Sequence, residues 1–265
     1  GALFFPQARG LRYINPKAPL LVSFHLPPLH ISFKFFGVSL FQFFLRGTLG
    51  HTKHLVIGCN ISKMTSTHPE DITKEYLRVF RNMYQYVDFF VINIACSTSS
   101  KPYEPRSAEE ISAIIESLFE FRRGQPDYRP ILLKISPDLS REELDAIIDI
   151  LIETPLDGIE AVGGSSAMAQ TMGCTTGGAI SGAMLTEKAI ETVRYIAEKT
   201  EHNYPIIGSG GMMSAEDIVR MLDAGASLVA LNSGLRTQGM RLFSESAKIL
   251  INREKARRIE SKTQP

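Results

Sequence analysis

Residues 206–217 read IIGSGGMMSAED, an apolar run that stops on paired glycines and restarts at a serine followed three residues later by an acid. The run predicts a strand with no polar face, and the glycines predict a turn. Ser214 with Asp217 has the form of a capping box, in which hydroxyl and carboxylate satisfy the free backbone N–H groups of a helix start. A strand apolar on both faces that leads into a helix belongs to a parallel sheet covered by helices.

Working outward, the same unit recurs. HLVIG (54–58), DFFVINI (88–94), PILLKI (130–135), DGIEAV (157–162), PIIGS (205–209) and ASLVAL (226–231) alternate with longer segments whose apolar residues return every three to four positions. Thr67 with Glu70, Ser107 with Glu110 and Ser140 with Glu143 repeat the capping pattern of Ser214. After Thr67, the residues Ile72, Tyr76, Phe80, Met83 and Val87 line one face of the expected helix.

Such alternation leaves a doubly wound sheet or a (β/α)8 TIM barrel, and the strand ends decide between them. An open sheet gathers its chemistry at one switch point, whereas a barrel delivers a functional residue from nearly every strand to one rim. Here the runs end in Asn60, in Asn93 and Cys96, in Lys134, in Gly163-Gly164-Ser165-Ser166, in Gly210-Gly211 and in Asn232-Ser233-Gly234. A barrel is therefore expected. Six strands are visible where eight are needed, so residues 1–53 must supply two or leave the barrel incomplete at its N-terminus. The expected organisation is an anomalous N-terminal segment, 1–53, followed by a barrel domain, 54–265.

With 44% hydrophobic and 22% charged residues, a chain of 265 has ample material for one folded core. A net charge of +1 gives no reason to expect nucleic acid, and the basic tail NREKARRIESK (252–262) reads as a solvated helix end. Three widely spaced cysteines, Cys59, Cys96 and Cys174, make neither a disulfide framework nor a metal pair, which favours a reducing compartment. No metal site is expected.

PLLVSFHLPPLHISFKFFGVSLFQFFLRG (19–47) is rich in Phe and Leu, yet His25, Pro27, Pro28, His30, Lys34 and Gln42 interrupt it. It falls short of the roughly 20 apolar residues that span a bilayer. No small-residue cleavage site follows it, so a signal peptide is not expected. A membrane-surface segment with Lys34 and Arg46 among the aromatics stays open. Because the chain opens on Gly1, a fragment, a processed chain and a misread start are open readings too.

Glycine turns at 208–211 and 232–234, one unit apart on the last two strands, lie where barrels commonly hold a phosphate on backbone N–H groups. The plain alternative is that these glycines only make tight turns. Lys134 sits in the middle of a run that should be buried, so it needs an anionic ligand or, more plainly, a structural carboxylate partner.

GCNISKMTS (58–66), DFFVINIAC (88–96), PILLKISPDLS (130–140), GGAISGAML (177–185), PIIGSGGMMSAED (205–217) and AGASLVALNSG (224–234) resemble, in order and spacing, the dihydroorotate dehydrogenases, most closely the quinone-dependent class. The resemblance covers about residues 54–250. It implies an FMN-binding (β/α)8 barrel that oxidises dihydroorotate to orotate in pyrimidine biosynthesis, with quinone as electron acceptor. It also implies peripheral contact with the cytoplasmic face of the inner membrane, or a cytoplasmic protein if quinone is not used.

Carried over residue by residue, the resemblance places Asn60, Asn93 and Lys134 against the flavin. Gly182, Gly211, Ser233 and Gly234 would hold its phosphate. Asn93, Thr98, Gly163 and Gly164 would face the substrate. Cys96 takes the position of the base that removes the proton from C5 of dihydroorotate; the quinone-dependent class usually has serine there. A thiol pKa of about 8.5 lies closer to neutrality than a hydroxyl's.

The chain departs from the family pattern at two places. Ser97-Thr98 stands where Pro-Asn is expected after the base, and Val162-Gly163-Gly164-Ser165 where Thr-Asn-Thr-Thr is expected. The flavin loop and the substrate segment of the family are not recognisable in residues 1–53. Three readings follow: a dihydroorotate dehydrogenase diverged around its substrate, a flavin oxidoreductase whose pocket the glycines open to a different pyrimidine-like compound, and a non-catalytic or truncated paralogue.

Overall fold

The six apolar runs form consecutive parallel strands, and two short strands nearer the N-terminus complete a ring. The computed structural model describes residues 2–4, 21–25, 56–63, 67–95, 107–173 and 178–263. Within them a closed barrel runs in chain order through β1 (Ala2–Phe4), β2 (Leu21–His25), β3 (Val56–Ser62), β4 (Phe89–Asn93), β5 (Ile131–Ile135), β6 (Gly158–Ala161), β7 (Ile206–Ser209) and β8 (Leu228–Leu231). Closure excludes the doubly wound sheet. One strand departs from the all-parallel pattern: β1 is antiparallel to both β2 and β8.

Outside the ring lie α1 (Ile72–Met83), α2 (Ala108–Arg123), α3 (Arg141–Glu153), α4 (Ser166–Thr171), α5 (Thr186–Lys199), α6 (Ala215–Asp223), α7 (Ser233–Gln238) and α8 (Arg241–Thr263). Capping boxes start α2, α3 and α6 at Ser107, Ser140 and Ser214. The Thr67–Glu70 box does not form. Pro69 opens a separate 3-10 turn, Pro69–Asp71, so α1 begins only at Ile72, and Thr67 Oγ1 donates to Glu75 instead. The face expected after Thr67 is buried as read, through Ile72, Tyr76, Phe80, Met83 and Val87.

Strand alternation sorts the core into two clusters. Outward-facing Cys59, Ile61, Phe90, Ile92, Leu133, Ile159 and Val229 pack against the helices. Inward-facing Phe89, Val91, Leu132 and Ile207 plug the barrel, with Val56, Leu228 and Ala230 against them. Gly58 makes that plug fit, since a Cβ there would lie 2.0 Å from Cζ of the Phe89 ring.

Two aspartates tie down strand starts. Asp88 Oδ2 accepts the Ile57 N–H at 2.7 Å, and Asp157 Oδ2 accepts the Ile131 N–H at 2.8 Å. Each joins adjacent strands at the end of the barrel opposite the glycine turns, where a ladder would otherwise leave a donor unpaired. Arg122 of α2 adds an ion pair to Asp157 at 2.8 Å.

Among the described residues, no helix is long and apolar enough to cross a membrane. The Phe-rich segment around Lys34 and Arg46 lies outside them.

Candidate active site at the C-terminal rim

Two residues further along each inward-facing row, the apolar plug gives way to polar groups. Val91 is followed by Asn93, Leu132 by Lys134 and Ile207 by Ser209, and all three line a cavity of about 270 Å³ at the strands' C-terminal ends. Register makes the first two neighbours and adds a third, because Asn93 stands opposite Lys134 on β5 and Lys134 opposite Glu160 on β6. Asn93, Lys134 and Glu160 are all buried.

Lys134 Nζ lies 2.5 Å from Glu160 Oε1. Its partner in the structure is thus a carboxylate, as the plain reading of Lys134 had it, although the ammonium still faces the cavity. Sequence reasoning missed Glu160: an acid inside the apolar run DGIEAV was the available signal. Asn93 is held by its neighbours, its Oδ1 accepting the Ala95 N–H at 3.0 Å and its backbone carbonyl accepting the Tyr76 hydroxyl at 2.8 Å.

Asn60 is buried on β3, and its Nδ2 has no hydrogen-bond partner among the described residues. A buried amide donor left alone costs about 1–3 kcal/mol, so a group that accepts from it there would recover that loss.

The loop after β6 is anchored from α3's side. Asp138 accepts from the Ser166 and Ala167 N–H groups at 2.6 and 3.0 Å and from the Ser165 hydroxyl at 2.5 Å. Ser165 also exchanges two backbone hydrogen bonds with Ile180, at 2.8 and 2.9 Å. Gly163 and Gly164 line the cavity, but a Cβ on Gly163 would lie 3.3 Å from Ala95 Cβ, and one on Gly164 would lie 2.9 Å from Ala179 Cβ. Neighbouring chain thus lies close to where a Cβ would stand at either glycine.

Across the cavity, the wall is mostly backbone and small side chains from β7 and β8. Gly211, at φ 74°, sits so close to α5 that a Cβ would fall 2.4 Å from the Thr186 N, and Thr186 Oγ1 donates to the Gly211 carbonyl at 2.6 Å. Ser233 lines this side, its hydroxyl 3.0 Å from that of Ser181. A Cβ on Gly234 would lie 2.2 Å from the Met212 carbonyl oxygen, which is how α7 approaches the 211–212 turn.

Of the expected site residues, Asn93, Lys134, Gly163, Gly164, Gly211 and Ser233 line one cavity. Asn60, Gly182 and Gly234 are buried but do not line it. Cys96 and Thr98 lie outside the described residues. Cys59 is shut away among apolar side chains, and burial pushes its thiol up to about 12, which makes it inert as base or nucleophile. The described residues contain no group of three or more His, Cys, Asp or Glu that could hold a metal.

The family model for dihydroorotate dehydrogenase matches residues 39–253. The dihydroorotate dehydrogenase (quinone) of Christiangramia forsetii is 34% identical over 199 residues, which are 74% of this chain and 58% of that protein. The protein of the same name from Thermosynechococcus vestitus is 35% identical over 205 residues, 74% of this chain and 56% of its own length. The chain thus spans less than 60% of the length of either. Ligand-free DHODH from Eimeria tenella superposes with a TM-score of 0.68 at 21% identity, covering 82% of this chain and 65% of that one, a likeness of fold.

Proposed function

This chain belongs to the dihydroorotate dehydrogenase family, and on that premise we propose that it binds FMN and oxidises dihydroorotate to orotate, with a quinone as final acceptor. The observation that carries the reading is the cavity at the C-terminal rim, where Asn93, Lys134, Gly211 and Ser233 face one volume. The residues present fit a flavin in two respects. Asn60 offers a buried amide donor in need of an acceptor, and the 210–211 turn presents backbone to the cavity because its glycines are packed from behind by Thr186, Ala189 and Leu185.

When bound, FMN supplies the acceptor for the hydride that leaves C6 of dihydroorotate. Cys96 takes the proton from C5, so that two C–H bonds break and the C5–C6 double bond of orotate forms. Asn60, Asn93 and Lys134 orient the flavin ring, and Asn93 and Thr98 the substrate. Gly211 and Ser233, which line the cavity, would bring backbone N–H groups to the phosphate, with Gly182 and Gly234 in the turns behind them. The apolar plug below closes the inner end of the site to water. Peripheral membrane contact at the cytoplasmic face accompanies the quinone reading.

A second reading, oxidation of a different pyrimidine-like compound, is favoured by Gly163 and Gly164, which offer no side-chain amide to a substrate. An anaerobic spectrum of the FMN-reconstituted protein, taken before and after dihydroorotate, separates the two. Bleaching of the visible flavin bands supports the first, and its loss in Cys96→Ala assigns the base. Flavin that binds but stays oxidised points to the second. Failure to retain FMN defeats both and leaves a non-catalytic paralogue.

A further inference from the structure

Lys134 and Glu160 are the charged residues among the described residues that line the cavity, and they face each other as one ion pair. The cavity therefore offers a ligand a net charge of zero where a lone Lys134 would offer +1. Register fixes this, since the two residues stand opposite each other on adjacent strands, and neither can turn away without leaving a buried charge alone.

We infer that Glu160 is a positioning residue that sets the redox potential of the bound flavin by neutralising Lys134. The inference rests on the FMN reading above. A flavin that takes up two electrons and one proton gains a unit of negative charge. A net positive wall stabilises that charge and raises the potential, whereas a neutral wall does so far less. Glu160 thus holds the flavin at a lower potential than Lys134 alone would. It acts through Lys134: the carboxylate keeps the ammonium's position in the cavity while cancelling its field at a distance.

Four proteins differ in the charge left on the pair: wild type 0, Glu160→Gln +1, Lys134→Gln −1, and the double variant 0. Midpoint potentials of bound FMN, from anaerobic reductive titration against a reference dye, should run highest in Glu160→Gln and lowest in Lys134→Gln. Wild type and the double variant should lie close together between them. A pair serving packing alone would not produce this order, because the double variant would differ from wild type as much as either single change does.

If Glu160→Gln does not fold, the comparison of Lys134→Gln with the double variant still decides, since restoring neutrality must raise the potential again. FMN retained in all variants with unchanged potentials overturns the inference and leaves the FMN reading standing. FMN retained by none overturns both.

Discussion

On the β4–β6 side of the cavity the groups facing a ligand are side chains, Asn93, Lys134 and Glu160, whereas on the β7–β8 side they are largely backbone, at Gly210, Gly211 and Ser233. A side-chain wall changes its charge by one substitution without moving the chain. A backbone wall cannot, because its shape is the path of the chain itself. Val162-Gly163-Gly164, one of the two places where the sequence reads differently from the expected family pattern, lies on the side that also carries Glu160, opposite the glycine turns.

The largest effect should come from breaking the side-chain wall. Glu160→Leu leaves Lys134 buried without a partner, and the expected loss is about 3–5 kcal/mol of stability. Urea unfolding measures it, and Lys134→Met with Glu160→Leu should recover most of the loss. If the single change is harmless, the ammonium reaches water through the cavity and the wall is less closed than its burial implies.

Breaking the backbone wall should come next. Gly211→Ala meets both a positive φ and the Thr186 backbone at 2.4 Å, for an expected loss of about 2–3 kcal/mol together with weaker FMN retention. Ala at Gly173, also at positive φ but with nothing within 4 Å of its Cβ, separates backbone strain from crowding.

A smaller effect should follow where Asp138 anchors the loop after β6. Asp138→Ala removes the acceptor of the Ser166 and Ala167 N–H groups at the start of α4, a cap worth about 1–2 kcal/mol. Asp138→Asn should restore part of it, which thermal unfolding would register.

The two walls also differ in how far they were legible in the sequence. The β7 turn announces itself locally, since paired glycines after an apolar run and before a capping serine need no knowledge of the rest of the chain. The Lys134–Glu160 pair does not. It depends on the register of two strands 26 residues apart, and Glu160 alone reads only as an acid in an apolar run. The antiparallel course of β1 was hidden for the same reason, because three residues at Ala2–Phe4 acquire a direction only by pairing with residues 229–231. Thr67 and Glu70 misled locally: the spacing of a capping box was present, but Pro69 between them diverts the chain into a 3-10 turn.

The smallest expected change in stability belongs to Asn60, and it sharpens the contrast most. Asn93 and Asn60 lie on neighbouring inward rows, yet Asn93 has its Oδ1 engaged by the Ala95 N–H, whereas the Asn60 Nδ2 has no partner among the described residues. Replacing a satisfied amide by Leu strands the N–H it had accepted. Replacing an unsatisfied one by an apolar group of similar shape removes a desolvated donor and is nearly neutral, within about 1 kcal/mol. Asn60→Leu should therefore leave the urea midpoint of the FMN-free protein close to wild type, while a titration of FMN fluorescence quenching shows weaker binding. Asn93→Leu should lower both. A large stability loss in Asn60→Leu would mean that the amide already serves the fold, and its open donor would then argue nothing about a ligand.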